Sequence, residues 1–317
     1  MSNRLRYLIL SSDAFLFLFC LLGIYHVAEK AGIPATFAKQ NGQIFVTAIK
    51  QHSPPDDLQI SDIIQSVNGQ TVSLPEDIEF LTDGLQIKDP VLIEIERNGI
   101  PRTVMIELQP FFGVQYVIII SIVGILFFGI GVFVLIKRPD DPAAYFFHWS
   151  TICVAIIIMA TWGRYRIHPA GLGSVLRILF HTAYSFFPVL FVHFTFHFPR
   201  TKWRHTKKLL IPLYFLSVLF SLWMGTTFLL ATFSSTFDWF HRFMTAFDTF
   251  RWFFSVCLLF SIFNLIHSYR FATEESERRK LRWAILGLAV GPLSYIVLWV
   301  IPMVLTSRGL VDEEYVL

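Results

Sequence analysis

The sequence predicts a multi-span α-helical membrane protein, with about seven transmembrane helices, that carries one inserted small α+β domain. The first observation is composition: 54% of the 317 residues are hydrophobic and only 15% are charged. The mean hydropathy of +0.57 is far above that of an ordinary soluble domain. The second observation is that residues 41–108, between two apolar stretches, are polar and strand-like. These two features define the architecture before any motif is considered.

Seven stretches of about twenty mostly apolar residues are long enough to cross the hydrocarbon core as helices. They are 7–28, 112–136, 145–162, 175–198, 209–233, 249–269 and 283–306. We therefore divide the chain into a first helix (1–34), an inserted domain (35–110), a six-helix bundle (111–306) and a short tail (307–317).

The distribution of Lys and Arg predicts the orientation, because cytoplasmic loops carry an excess of both. With the N-terminus inside, the inner segments hold fourteen of these residues and the short outer segments of the bundle hold four. We therefore expect a multi-pass membrane protein with a cytoplasmic N-terminus, and with the inserted domain and the tail outside the cytoplasm.

The first apolar stretch follows Arg4 and Arg6, as a secretory signal peptide would. Its length of about twenty-two residues suits a membrane anchor better than a signal peptide. The residues that follow, from His26 to Ala28, match a cleavage site poorly. An uncleaved anchor is therefore expected.

All three cysteines fall inside predicted membrane helices, so no disulfide framework is expected. The sequence has no CxxC motif and no Cys/His cluster. We accordingly predict no metal, no other cofactor and no nucleic-acid partner.

The inserted domain reads as alternating strands with one helix. Residues 43–49 alternate and are β-branched, 60–67 form a second strand region, and Val72 starts a short third strand. Ser73 is a plausible N-cap for a helix that has Glu76 three residues later and ends near Gly84. Two closing strands, 91–97 and 102–108, flank an Asn-Gly pair, which is a strong hairpin signal.

The pattern LQISDIIQSVNG at 58–69, with the SPP turn at 53–55, the helix and the final hairpin, resembles the circularly permuted PDZ domains of bacteria. One position departs from that family: Ser61 stands where a glycine usually precedes Asp62. The resemblance covers nearly the whole insert and implies that it folds as a PDZ-like domain.

The resemblance implies a groove in which an extended peptide adds a strand beside one edge of the sheet. When the positions of the family's groove are carried over to this sequence, the resemblance implies a loop that binds a carboxylate, an edge strand and a helix that forms one wall. These are Asn41, Gly42 and Gln43 for the loop, Ile44, Phe45 and Val46 for the strand, and Ile78, Leu81 and Thr82 for the wall. The alternative is that the apolar members of this set only fill the core of the domain.

Three segments of the membrane part, KRPDDPAAYFF (137–147), HFTFHFPR (193–200) and ERRKLRWAILGLAVG (277–291), resemble the sensory region of bacterial histidine kinases. The nearest type is a quorum-pheromone sensor kinase with an extracytoplasmic PDZ insert. These 317 residues contain neither a phosphoacceptor helix nor an ATP-binding domain, so we expect no enzymatic activity within them. The resemblance implies a homodimer, and a cytoplasmic kinase module or response regulator as the partner.

Aromatic residues are dense between the fifth and sixth predicted spans, where an outer loop is expected. Interfacial belts explain much of this aromatic content. We also predict that Trp239, Phe240 and Phe243 form an outer rim that contacts a hydrophobic or lipidated peptide. Residues 41–108 have eleven carboxylates against four basic side chains, which mildly favours a cationic ligand.

Two groups of polar residues lie inside predicted spans. His193 and His197 have i, i+4 spacing, which suits either a metal pair or, more often, capping of carbonyls at a helix end. Charged or titratable groups in the hydrocarbon region are costly and need partners. The candidates are Asp13, Arg177, His181, Asp248 and Arg251.

Two functions remain open from the sequence. The first is a sensor that binds an extracellular peptide or small ligand and relays its presence through the helices. The second is a PDZ-bearing membrane scaffold that recruits a protein such as a protease. Both functions imply contact between the helices and the lipid bilayer.

Overall fold

The computed structural model describes residues 3–49, 58–160, 170–200, 206–234 and 236–295. The helices are α1 (Asn3–Ala28), α2 (Pro75–Thr82), α3 (Val114–Lys137), α4 (Pro142–Met159), α5 (Ala170–His197), α6 (Thr206–Ser234), α7 (Phe237–Phe271) and α8 (Glu275–Tyr295). The strands are β1 (Ala31–Gly32), β2 (Ala35–Gln40), β3 (Gln43–Ile49), β4 (Ile63–Val67), β5 (Gln70–Thr71), β6 (Pro90–Arg97), β7 (Ile100–Glu107) and β8 (Gln109–Pro110).

Within these residues, six helices are long and apolar enough to cross a membrane. They are α1 and α3 to α7, and they correspond to the first six predicted spans. The predicted seventh span lies partly outside the described residues, and the predicted tail lies wholly outside them. The protein is thus mostly helical, with a small α+β domain near its N-terminus, and the predicted fold class is confirmed.

Helix α7 differs most from its prediction, because it begins at Phe237, where an outer loop was expected. At 1.5 Å per residue its 35 residues span about 52 Å, well beyond a hydrocarbon core of about 30 Å. Polar residues such as Asp238 and His241 interrupt the apolar pattern, so hydropathy alone placed the start of the span too late. The extra turns of α7 reach the inserted domain.

The helices pack mainly against their neighbours in the chain, and α1 lies against α3 and α4. The central cluster is aromatic: Tyr184 of α5 packs on Phe250 and Phe254 of α7, with ring centroids 4.9 and 5.2 Å apart. Glycines let α3 approach α4 closely. A Cβ atom on Gly131 would lie 2.2 Å from Oγ1 of Thr151.

Replacing Gly131 by Leu is therefore expected to destabilise the bundle by about 1–3 kcal/mol, the usual cost of overpacking. Thermal unfolding of the full chain in detergent micelles would show a lower Tm. Gly129→Leu is the matched control on the same helix, because its Cβ would meet no atom within 4 Å. Equal Tm values for the two variants would contradict the close α3–α4 contact.

The inserted domain contains a six-stranded sheet in the order β2-β3-β4-β6-β7, with β5 paired to β4. Strands β1 and β8 form a separate short ladder where the chain leaves α1 and enters α3. Three Asn-Gly pairs, at 41–42, 68–69 and 98–99, all have positive φ at both residues, as two-residue hairpin turns of type I′ require. The chain direction thus reverses at the Asn-Gly positions.

The core of the insert is aliphatic, and Val67, Val91 and Ile93 are completely buried. Strand β3 has the predicted bounds, whereas the helix begins later than predicted. Leu74, not Ser73, is the N-cap of α2. Oδ2 of Asp77 accepts hydrogen bonds from the backbone amides of Ser73 and Leu74 at 2.9 and 3.0 Å. Asp77 thus takes the capping role that the sequence suggested for Ser73 and Glu76.

Candidate functional site

Strand β2 and helix α2 lie beside each other in the inserted domain, and the space between them is called the groove below. β2 is the last strand at one edge of the sheet, and among the described strands it pairs only with β3. Helix α2 packs against β1 and β2. An edge strand beside a helix is the arrangement into which an extended peptide can add as a further strand.

The residues predicted to form the edge strand of the groove lie inside the sheet. Ile44, Phe45 and Val46 belong to β3, which is an interior strand paired with β2 on one side and β4 on the other. The amide of Val46 also donates to the carbonyl of Asp62 at 2.9 Å. The prediction that these residues form the edge is therefore wrong, and Ile44 and Val46 are core residues with 1% exposure each.

The predicted carboxylate loop is also different in the structure. Asn41 and Gly42 are the two central residues of the β2–β3 hairpin, and Gln40 pairs with Gln43 across it. This is a tight turn rather than the open backbone loop that the resemblance implied. At the other end of β2 the chain makes a second turn, in which the amide of Ala35 donates to the carbonyl of Ile33 at 2.8 Å.

The three predicted wall residues of α2 have different surroundings. Ile78 and Thr82 are buried in the domain, and the hydroxyl of Thr82 donates to the carbonyl of Ile78 at 3.1 Å. Leu81 is half-buried and packs against the core from its margin. Of the three, Leu81 is thus the side chain that can contact a peptide in the groove.

Other residues of α2 contact the extended start of α7. Nε2 of His241 lies 2.7 Å from Oδ1 of Asp77, whose side chain is fully buried. The ring of Phe80 stacks on Phe240 with centroids 4.4 Å apart, and it lies 6.2 Å from the ring of Phe237. The helix that borders the groove is therefore also the helix that joins the insert to the bundle.

A lysine in the segment after α1 holds α2 from another direction. Nζ of the buried Lys30 pairs with Glu79 and lies 3.8 Å from Oδ1 of Asp83. The same ammonium group is 4.8 Å from the centre of the Phe111 ring, where the chain enters α3. Sequence reasoning missed Lys30, because nothing in the local pattern shows that α2 folds back onto this segment.

The predicted aromatic rim is largely buried. Phe240 faces Phe80 of α2, and Phe243 lies 5.2 Å from the ring of His181 on α5. Trp239 is half-buried, and the guanidinium of Arg242 lies 4.7 Å from its ring. Phe240 and Phe243 are thus packing residues in this structure.

Helix α5 carries a polar stripe on the side that faces the bundle, formed by Ser174, Arg177, His181 and Ser185. The guanidinium of Arg177 is 5.0–5.7 Å from the rings of Phe180, Phe228 and Phe243. Among the described residues, neither ring nitrogen of the fully buried His181 has a hydrogen-bond partner, and the same is true of the Ser174 and Ser185 hydroxyls. Groups of this kind need water or a ligand, since an unmet polar atom in the membrane interior is costly.

Two further pairs of titratable residues lie in the bundle. Nε2 of His148 is 3.3 Å from Oδ1 of Asp13, although neither atom forms a hydrogen bond among the described residues. Arg251 donates a hydrogen bond to Asp248 at 3.0 Å.

His193 and His197 both stack on Phe146, and Nδ1 of His193 lies 3.0 Å from the hydroxyl of Tyr214. The described part of the chain contains no group of three His, Cys, Asp or Glu side chains that could hold a metal. The histidine pair is therefore part of an aromatic contact between α4, α5 and α6.

Comparison with known proteins places the insert in a family. Residues 31–108 match the family model of the PDZ domain. No curated protein matches the chain. The matched residues contain the groove, β2 and α2, and they end before α3. The molecule therefore belongs to the class of multi-span membrane proteins that contain a PDZ domain, and its long apolar helices contact the lipid bilayer.

Proposed function

We propose that this chain is the membrane-embedded sensory region of a bacterial two-component sensor histidine kinase, and that it detects an extracellular peptide. The observation that carries the proposal is the double role of α2, which borders the groove and contacts α7. A peptide that adds to β2 and touches Leu81 would press on this helix. Asp77 and Phe80 of the same short helix contact α7.

The relay follows from the length and stiffness of α7. This helix begins at the PDZ domain and ends, 35 residues later, at the segment before α8. A displacement or rotation of its first turns is carried along a continuous hydrogen-bonded helix. The peptide would shift the equilibrium between two positions of α7. The size of that shift is limited by the difference in the affinity of the peptide for the two positions.

The membrane orientation and the partners belong to the same proposal. The Lys and Arg distribution supports an extracytoplasmic PDZ domain. A homodimer would then pass the signal to a cytoplasmic kinase module or response regulator, as the resemblance to sensor kinases implies.

The proposal can be tested on the full chain in lipid nanodiscs with an array of synthetic peptides that end in an apolar residue. Each peptide would be tried with a free and with an amidated carboxyl terminus. We expect bound peptides to slow hydrogen exchange in α2 and to change it in the last turns of α7. Peptide binding that leaves α7 unchanged would favour the scaffold function instead, and an absence of binding by any peptide would contradict both.

Leu81→Arg should weaken peptide affinity about tenfold or more, since the variant loses the apolar contact, worth about 1.5–3 kcal/mol, and places a charge in the groove. Fluorescence titration of labelled peptides would measure the change. Leu92→Arg makes the same chemical change at an exposed position of β6 and should leave affinity unaltered. Equal losses in the two variants would argue against the groove.

A further inference from the structure

The end of the bundle opposite the PDZ domain contains a cavity of about 920 Å³. It lies between the end of α5, the start of α6, the end of α7 and the start of α8. Between His241, which contacts the PDZ domain, and Phe260, the first cavity residue of α7, the helix rises by about 28 Å. The cavity therefore belongs to a different part of the molecule from the proposed peptide site.

The walls of the cavity are mostly apolar and include Phe196, Leu209, Phe260 and Phe263. Its polar lining residues Asn264 and Ser268 bond to groups of the bundle itself. The Asn264 amide donates to the hydroxyl of Thr195 at 2.8 Å, and the Ser268 hydroxyl donates to the carbonyl of Asn264 at 2.7 Å. The interior thus suits a hydrocarbon chain better than a polar solute.

The lining also contains the basic residues Arg200, Lys208 and His267. Arg200 is already matched, because its guanidinium pairs with Glu274, at 2.6 Å, and with Glu277. Lys208 is exposed, and within the described residues its ammonium group forms no ion pair. His267 is also exposed and lies against Phe271, with ring centroids 4.6 Å apart. The acidic Glu277 also lines the cavity and pairs with Arg200, so the Lys208 ammonium group is the charge of this lining that has no ion pair among the described residues.

We infer that this cavity binds one anionic phospholipid, with an acyl chain against the phenylalanine walls and the phosphate beside Lys208. Two observations favour a lipid over a soluble anion. The walls belong to α5, α6 and α7, which are long enough to cross the membrane, and an inorganic phosphate would leave the apolar volume unfilled. A basic side chain near the membrane surface contributes about 1 kcal/mol to the attraction of an anionic lipid.

The test uses the full chain, purified in a neutral detergent and examined by native mass spectrometry with added phosphatidylglycerol or phosphatidylcholine. We expect one molecule of phosphatidylglycerol to be retained in preference to phosphatidylcholine. Lys208→Gln should weaken this retention about fivefold, which is the fold-change that corresponds to about 1 kcal/mol. Lys207→Gln is the matched control, because Lys207 is an adjacent exposed lysine that does not line the cavity.

A second variant tests the cavity itself. Ser268→Phe fills part of the volume and should lower retention of both lipids, with an unchanged Tm showing that the bundle is intact. Equal effects of Lys207→Gln and Lys208→Gln would overturn the inference, since they would indicate general surface attraction. Competition by glycerol 3-phosphate at the same concentration as the lipid would also overturn it, because no acyl chain would then be needed. Neither result depends on peptide binding at the PDZ domain.

Discussion

Replacing Asp62 by Ala is expected to lower the free energy of unfolding of the PDZ domain by about 3–5 kcal/mol, the usual cost of removing one partner from a buried ion pair. Asp62 is 1% exposed and receives two hydrogen bonds from Arg97, both at 2.7 Å. The backbone amide of Gln59 donates a third, also at 2.7 Å. The variant leaves the guanidinium without its carboxylate and frees the turn before β4.

Hydrogen exchange of the full chain in nanodiscs measures this loss, because the amides of β4 and β6 exchange only when the sheet opens. These amides should exchange faster in the variant, while the amides of α3 to α7 keep their protection. Glu94→Gln is the control: Glu94 is an exposed carboxylate on β6 that accepts a hydrogen bond from Ser66, and its replacement should change stability by about 0.5 kcal/mol or less. Unchanged protection in Asp62→Ala would show that the Asp62–Arg97 pair does not hold the sheet.

Phe80→Ala is expected to remove most of the contact between the PDZ domain and the bundle, with a loss of about 3 kcal/mol or more. The ring is buried between the two parts and stacks on Phe240. Because Phe80 faces α7 and not the core formed by Val67 and Ile93, the domain should stay folded while its position relative to α7 becomes free.

The measurement is again hydrogen exchange, now of α2 and the first turns of α7. Faster exchange in these two segments, with unchanged exchange in β4 and β6, is the expected result. Under the proposed function this variant also binds peptide but no longer changes α7. Leu92→Ala, on an exposed part of β6, is the control and should alter none of these segments. Loss of protection throughout the sheet in Phe80→Ala would mean that Phe80 stabilises the domain rather than the contact.

His241→Ala tests the polar part of the contact between α2 and α7, and it removes fewer atoms from that contact than Phe80→Ala does. It removes the bond to Oδ1 of Asp77 but leaves Oδ2, which caps α2, in place. Removing one hydrogen-bond partner from a buried carboxylate destabilises the folded contact by about 1–3 kcal/mol. We therefore expect a smaller increase of exchange than in Phe80→Ala, confined to the same two segments. An effect larger than that of Phe80→Ala would reverse the order of importance assigned to these contacts.

Local chemistry made much of the PDZ domain predictable. The Asn-Gly pairs at 68–69 and 98–99 marked hairpin turns, and both have the positive φ values that such turns need. Ser61 has a φ of 73°, in the region that glycine favours, which fits its place where the related domains usually have glycine. The alternation of residues 43–49 likewise predicted β3 with its observed bounds.

Local chemistry did not predict which strand lies at the edge of the sheet. β2 and β3 are both short, and their own residues do not reveal which of them also pairs with β4. That pairing depends on Asp62 and Ile64, about twenty residues later in the chain. The predicted groove therefore used the right helix but the wrong strand.

By itself, the sequence determined the membrane class, the six long apolar helices and the turns of the insert, because transfer to lipid and turn geometry depend on neighbouring residues. Only the tertiary structure decided that β2 is the edge, that α7 continues to the PDZ domain, and that Lys30, Asp77 and Phe80 hold α2 in place. Each of these contacts joins residues from distant parts of the chain, from 49 positions apart for Lys30 and Glu79 to 164 for Asp77 and His241. Their energy comes from burial and pairing in three dimensions, which a linear pattern does not record.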